Sequence, residues 1–415
     1  MTQNQPAFGA SPLRPRPIIK ASRSFFIGLL LVFLLYVYMV LRLDIHLMAH
    51  GLYDSYTLQA LAWRAGRLNL LENDPSLELA FHQGQIFVCF PPVPAIPMLF
   101  LSFFFGAQTP SVWLMTACFF GSYVAAYRLG VRLGNADKES ALWAAFLVCG
   151  SNLIDISLFG WVWYMAQGCA FLLTLLAFDG ALSSTRKGQA LGLVCIALAV
   201  GCRPMQVIYA PILMWMVWKR LPNGGFSMRL RLFLPLLILP VLIGLSYGIY
   251  NGVRFGDPFE FGYNYLPEFQ KDAQFGLHYV PKHLKKLFFD FPYIDQGRLI
   301  LPDFDGFAFY IANPIFILLS LRLLRRPRGR PSSTWPLLFV VALHFFLLML
   351  HRTFGGWQFG TRYLLDTLPA VFYLCLQDKK STTRYESPVM VFGVLVNVLG
   401  SLLFRTAYPD FLITR

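Results

Sequence analysis

The sequence predicts an all-α polytopic membrane protein of about eleven transmembrane helices, and three observations carry that prediction. Of 415 residues, 56% are hydrophobic and only 13% charged, about half the roughly 25% charge of soluble domains, and mean hydropathy is +0.54. Apolar stretches near the roughly 17–25 residues needed to cross a bilayer recur along the whole chain. Lys and Arg gather in alternate short connections, the pattern that orients a multi-span protein.

In chain order, an arm over 1–23 (Arg14, Arg16, Lys20, Arg23) reads as disordered and cytoplasmic. The span 24–43 has no small-residue cleavage site before Asp44, so it reads as a retained signal anchor. One integral membrane domain over 24–404 is expected, with a short outer tail over 405–415. Further crossings are expected near 110–128, 139–157, 160–178, 188–202, 205–218, 232–250, 306–323, 334–350, 363–376 and 388–404. Segment 93–106 is apolar too, but Pro91, Pro92, Pro94 and Pro97 break its helix early, so it reads as re-entrant or interfacial.

Charge decides that last point. If 93–106 does not cross, the basic loops at Arg128–Lys138, Arg186–Lys187, Lys219–Arg231, Arg322–Arg330 and Lys379–Arg384 all face the cytoplasm. If it crosses, every one flips outward, against the positive-inside rule. The net charge of +14 is then chiefly an orientation signal in a plasma (inner) membrane protein, and no nucleic-acid partner is needed to explain it.

The two long outer connections, 44–109 and 251–305, carry most of the acids and histidines together with many aromatics, which makes their face the expected active-site face. Asp54 opens an amphipathic segment, 55–68, where capping is an equal explanation, although Thr57 leaves no capping box. His50, Tyr53, His82 and Gln83 flank it as candidate substrate-binding residues. Trp161, Trp163 and Tyr164 suit an interfacial aromatic belt, with Gln167 one turn inside the span and able to line a polar cavity. Arg203, in Gly201-Cys202-Arg203-Pro204, sits where an arginine must snorkel or meet an anion.

The stretch from Tyr250 to Tyr265 alternates aromatics with Gly, Arg254 and Glu260 and ends near Tyr263, which suits a folded lid. His278 to Lys286 is a basic amphipathic segment suited to lipid headgroups. Asp303-Phe304-Asp305 is either a metal-binding DxD or an N-cap pair. Between His351 and Leu364, three glycines, Trp357, Gln358, Arg352 and Arg362 suit close approach to a phosphate. Seven scattered cysteines without a CxxC indicate neither a disulfide framework nor a thiolate metal site.

In this order, LYDSY, AGRL, FPPVPAIPMLF, CRPMQVIYAP, YNGVRFGDPFEFGY and GGWQFGTRYLLDTLP resemble the GT-C superfamily of membrane glycosyltransferases. The branch is that of enzymes similar to protein O-mannosyltransferases and the lipid A aminoarabinose transferase, and the resemblance spans nearly the whole chain. It implies a GT-C-like fold and transfer of a monosaccharide from a polyprenyl-phosphate donor to a glycan, lipid or protein acceptor at the bilayer. Asp54 takes the position of the catalytic acid, and Arg203 and Arg362 fall where basic residues meet the lipid phosphate. One departure concerns the second acid of such enzymes: Trp163-Tyr164-Met165 occupies its region, and Asp155 comes several residues early.

Such chemistry needs a base at the acceptor hydroxyl, worth roughly 10²–10⁴-fold, which Asp54 can supply. Cations at the departing phosphate (Arg203, Arg362 and Arg254) replace a general acid, and a single base opposite the phosphate predicts inversion. A divalent metal ion stays an open cofactor reading, with Asp54, Asp303 and Asp305 as its ligand candidates. The alternative class is a flippase or transporter of lipid-linked sugar. Against it, the spans show no inverted repeat and carry almost no ionisable residue at mid-membrane.

Overall fold

A computed structural model describes residues 22–302, 304–325 and 330–407. Most of the basic arm, Asp303, Arg326, Arg328 and the tail beyond 407 therefore lie outside the described residues.

Each of the eleven expected crossings is helical. The first is α1 (Arg23–Arg42), started by Ser22, whose side chain accepts from the Phe25 backbone N–H. Then come α2 (Ser55–Arg64), the strands β1 (Leu79–His82) and β2 (Gln85–Val88), and α3 (Ala95–Phe105). The bundle continues with α4 (Val112–Leu133), α5 (Asp137–Cys149), the short α6 (Leu153–Ile156), α7 (Val162–Ala181), α8 (Arg186–Val200), α9 (Ala210–Arg220) and α10 (Phe226–Phe255). After the second long connection, with α11 (Val280–Phe289), β3 (Tyr293–Asp295), β4 (Arg298–Ile300) and α12 (Phe309–Ala312), follow α13 (Ile315–Arg325), α14 (Thr334–Leu350), α15 (Leu368–Leu376) and α16 (Glu386–Ala407).

Five of these helices, α1, α4, α7, α10 and α16, are long and apolar enough to cross a membrane by themselves. The other expected crossings are shorter, down to the 9 residues of α15, about 14 Å of helix at 1.5 Å per residue. Short turns of 3-10 helix lengthen two of them, Pro204–Tyr209 before α9 and Arg362–Thr367 before α15. The fold is also not purely helical: β1 and β2 pair antiparallel across Gln83 and Gly84, both at positive φ, and β3 and β4 form a second small hairpin.

Hydrogen bonds define two ends of the bundle. At one, Ser22 meets Tyr127 (3.1 Å), Asn135 donates to the Leu376 carbonyl (3.0 Å), and Trp143 donates to Thr382 (2.9 Å). At the other, the Gly51 N–H donates to Ser111 Oγ (3.0 Å), and the Asn152 amide to the Phe359 carbonyl (2.6 Å). Segment 93–106 starts where the Val93 N–H donates to the Gly201 carbonyl (2.9 Å) at the second end. It leaves where the Thr109 carbonyl meets His50 Nδ1 (3.3 Å), again at the second end. Helix α3 therefore returns without crossing, as the charge pattern requires. It lies along α2, with the Arg64 guanidinium 4.7 Å from the Phe103 ring centroid, and presents Phe100, Phe103 and Phe104 outward.

Candidate active site

The end of the bundle that gathers the long connections holds a cavity of about 520 Å³. Two interruptions of helix build its cationic side. After α8, Arg203 takes an extended backbone (φ −139°, ψ 105°), because Pro204 disfavours helix in the residue before it. Arg362 opens the 3-10 turn Arg362–Thr367, after a loop in which Gly355, Gly356 and Gly360 all have positive φ.

Both guanidinium groups reach the cavity wall and share one ring: each lies 4.8 Å from the Tyr363 centroid. Their supports differ. Arg203 Nε donates to Asp366 Oδ2 at 3.0 Å. Arg362 gives Nη1 to Gln167 Oε1 (3.3 Å) and Nη2 to the Gly355 carbonyl (3.1 Å), while its Nε has no hydrogen-bond partner. Gln167 ties the pair together, donating to the Arg362 carbonyl (2.8 Å) and to Asp366 Oδ1 (3.3 Å). Arg362 thus forms no ion pair with a described carboxylate, and its half-satisfied planar fork suits an oxyanion.

The adjoining wall is aromatic, with Arg362 itself 5.5 Å from the Tyr164 ring centroid. Gly51 and Gly160 pack so closely that a Cβ on Gly51 would lie 2.8 Å from the Gly160 carbonyl oxygen, and the Val162 N–H donates to the Tyr53 carbonyl (2.9 Å). This contact sets Tyr53 beside Trp161 and Trp163, with ring centroids 5.4 Å apart in each pair. Trp163 Nε1 donates to Glu78 Oε2 at 3.0 Å, and Glu78 also lines the cavity. Burial pushes the Glu78 carboxyl above its ordinary range, against the Trp163 bond and the fields of Arg362 and Arg352.

Behind that wall lies a buried ion pair. Arg405, from the last helix, donates to Asp155 Oδ2 (2.7 Å) and to the Tyr164 hydroxyl (3.0 Å), with Ser401 on Asp155 Oδ1 (2.6 Å). Asp155 is therefore fully engaged within the protein.

Other expected residues divide by position. Tyr53, Tyr263, Trp357, Arg203 and Arg362 line the cavity, and Gln167 braces it from beneath. Asp54, next in sequence to Tyr53, is buried outside the cavity lining and caps α2: Oδ1 accepts from the Thr57 N–H (2.9 Å) and Oδ2 from the Thr57 hydroxyl (2.5 Å). His50 Nδ1 lies 3.6 Å from Oδ2, and burial pushes the Asp54 carboxyl up despite that ring and Thr57.

Arg254 is a correction. It is stacked between Tyr250 (3.9 Å) and Phe255 (4.6 Å) and donates to the Val88 carbonyl (2.9 Å) and to Asn251 (2.9 Å), so its charge holds the loop and not the cavity. His82 packs on Tyr265, with centroids 4.3 Å apart, Gln83 is exposed at the hairpin tip, and Gln358 is buried on the Phe354 carbonyl; none lines the cavity. Arg352 lines it, yet spends its terminal nitrogens on the carbonyls of Tyr263 (2.9 Å), Phe269 (3.3 Å) and Asp272 (3.2 Å), lacing the second long loop down. Helix α11 buries His283 and Leu287, the latter against Leu348 and Phe354, and pairs Lys282 with Asp305 (2.9 Å), so protein engages much of the segment expected on headgroups.

The metal reading finds no converging donor set. Asp54 is committed to Thr57 and Asp305 to Lys282, and among the described residues no three His, Cys, Asp or Glu side chains gather around one point. Glu78 lines the cavity without having been among the residues expected from the sequence. The available signal was its place just before an alternating strand in a long outer loop.

Comparison with solved structures finds the same architecture. The apo structure of ArnT from Cupriavidus metallidurans is similar over 90% of this chain and 63% of that one, at a TM-score of 0.52 and 12% identity. ArnT from the same organism bound to undecaprenyl phosphate matches at 0.49 and 11% identity, over 88% of this chain and 62% of that one. The apo oligosaccharyltransferase of Archaeoglobus fulgidus matches at 0.45 and 13% identity, over 92% and 55%. The chain thus spans less than two thirds of the length of these structures. At 12% identity the likeness to apo ArnT is one of fold, and it is the fold that the resemblance to GT-C enzymes implied. No family model and no curated protein matches the sequence.

Proposed function

We propose that this chain is a membrane glycosyltransferase that moves a monosaccharide from a polyprenyl-phosphate donor to a hydroxyl of a glycan, lipid or protein. It would act at the extracytoplasmic face of the inner membrane, with the amino terminus in the cytoplasm. The observation that carries this reading is the Arg203–Arg362 pair on one tyrosine ring. It adjoins an aromatic, carboxylate-bearing wall of a cavity at the end of a membrane bundle, with Arg362 5.5 Å from the Tyr164 ring centroid.

The chemistry follows from those groups. Arg362, held by no described carboxylate, and Arg203, half-neutralised by Asp366, receive the phosphate and stabilise its charge as the anomeric C–O bond breaks. The acceptor oxygen bonds to the anomeric carbon from the opposite face, and its proton passes to a carboxylate. Asp54 is the proposed base: its raised proton affinity suits the role, and the hydroxyl bond to Thr57 is the contact it would exchange for the acceptor. One displacement gives inversion. No step is routed through a metal.

The test is full-length protein in nanodiscs given undecaprenyl phosphate-linked mannose, glucose or N-acetylglucosamine, with Asp54→Asn as control. Release of undecaprenyl phosphate by the wild type and its loss in the variant are expected. Undiminished release in Asp54→Asn removes the base. Movement of intact lipid between leaflets without cleavage supports the flippase reading instead.

A further inference from the structure

Glu78 is a polar landmark of the cavity that the proposed displacement does not use. Only one hydrogen bond to its carboxylate is formed among the described residues, from Trp163 Nε1 to Oε2. The other oxygen, Oε1, is left to the cavity, beside the rings of Tyr53, Trp161 and Trp163. A sugar ring asks for this combination. Its C–H face packs on an aromatic ring, and its hydroxyls donate to a carboxylate in a charge-assisted bond. Arg362 and Glu78 line the same cavity, so a sugar carried on a phosphate at Arg362 shares its chamber with this carboxylate.

We propose that Glu78, with Trp163 and Tyr53, forms the glycosyl subsite of the donor and makes the site prefer the loaded carrier to the spent one. This rests on the reading of the chain as a polyprenyl-phosphate-sugar transferase. The loaded carrier is a phosphodiester with one negative charge and hydroxyls to satisfy Glu78. The spent carrier is a phosphomonoester with a charge of about −1.5 to −2 near neutral pH and no sugar to satisfy the carboxylate. Glu78 attracts the first and repels the second, which favours product departure.

Two probes read opposite responses in one variant. Wild type and Glu78→Gln, which keeps an acceptor for Trp163, are compared in nanodiscs by native mass spectrometry. The probes are undecaprenyl phosphate and undecaprenyl phosphate linked to mannose, glucose or N-acetylglucosamine. The wild type should hold at least one loaded carrier more tightly than the bare one. In Glu78→Gln that preference should fall at least about tenfold, the scale of one lost charged hydrogen bond, with the bare lipid bound more tightly than before. An unchanged preference, equal weakening of both lipids, or a wild type that binds all carriers alike overturns the subsite. A wild type that binds neither bare nor loaded lipid overturns the transferase reading itself.

Discussion

Arginines that line the cavity differ from those packed into the opposite end of the bundle. At the end richest in Lys and Arg, three guanidinium groups are matched to buried carboxylates: Arg322 donates to Glu386 (2.7 Å) and to the Cys375 carbonyl (2.5 Å), and Arg128 and Arg132 share Asp179. At the cavity end, Arg362 meets only amide and carbonyl oxygens, and Arg203 gives Asp366 a single nitrogen. A guanidinium already matched to a carboxylate has little left for a ligand, whereas one held by neutral dipoles still needs an anion. The density of basic residues therefore reports orientation, and an uncompensated arginine at a cavity reports a site.

That contrast can be broken by experiment. Asp54→Asn should lower transfer by about 10²–10⁴-fold. The thermal midpoint should hold, since asparagine caps a helix about as well as aspartate; an equal fall in both would reduce Asp54 to its capping role. Arg322→Ala should destabilise the bundle by about 2–3 kcal/mol, below the roughly 3–5 kcal/mol of a fully orphaned buried charge because Arg325 (3.6 Å) and the Thr383 N–H (2.8 Å) stay on Glu386, while specific activity of the folded fraction is unchanged. Arg362→Ala should behave conversely, with release of polyprenyl phosphate down roughly tenfold to a hundredfold, unfolding little changed, and only partial rescue by lysine, which lacks the planar fork. Equal behaviour of the two arginine variants in both assays would erase the distinction between the ends.

The smallest effect concerns pH. Burial holds the Asp54 and Glu78 carboxyls above their ordinary range, so the native state keeps protons that the unfolded chain has released. Stability conferred by the protonated forms is complete below the unfolded pKa, about 4, and declines as pH rises through the native values. Thermal midpoints measured upward from about pH 4 should flatten in Glu78→Gln and Asp54→Asn. A profile identical to wild type would show that these carboxyls are not shifted.

Much of this was legible in the sequence, for identifiable reasons. Helix α1 follows from an unbroken apolar run, and the return of 93–106 from four prolines and the alternation of basic loops. The hairpin β1–β2 escaped because each strand is four residues long and its turn is Gln83-Gly84 and not Asn-Gly. Arg254 was misplaced because its partner is a backbone carbonyl 166 residues earlier, and carbonyls leave no mark on a sequence. Arg203 and Arg362 stood out through their neighbours, Pro204 and a glycine-rich loop. That one of them would be matched by Asp366 depended on a 3-10 turn that composition does not reveal.

The Asp155–Arg405 pair has a consequence for biogenesis. Its two halves lie 250 residues apart, and the arginine belongs to the final helix, where it also meets Phe159 (4.3 Å) and Trp161 (5.1 Å). During synthesis, the seven spans from 160–178 to 363–376 can be threaded while Asp155 waits without its counter-ion and the tryptophan panel has no backing. Bracing of that cavity wall is thereby timed to the arrival of α16, so a ribosome-stalled chain lacking this helix would be inserted with the wall unsupported.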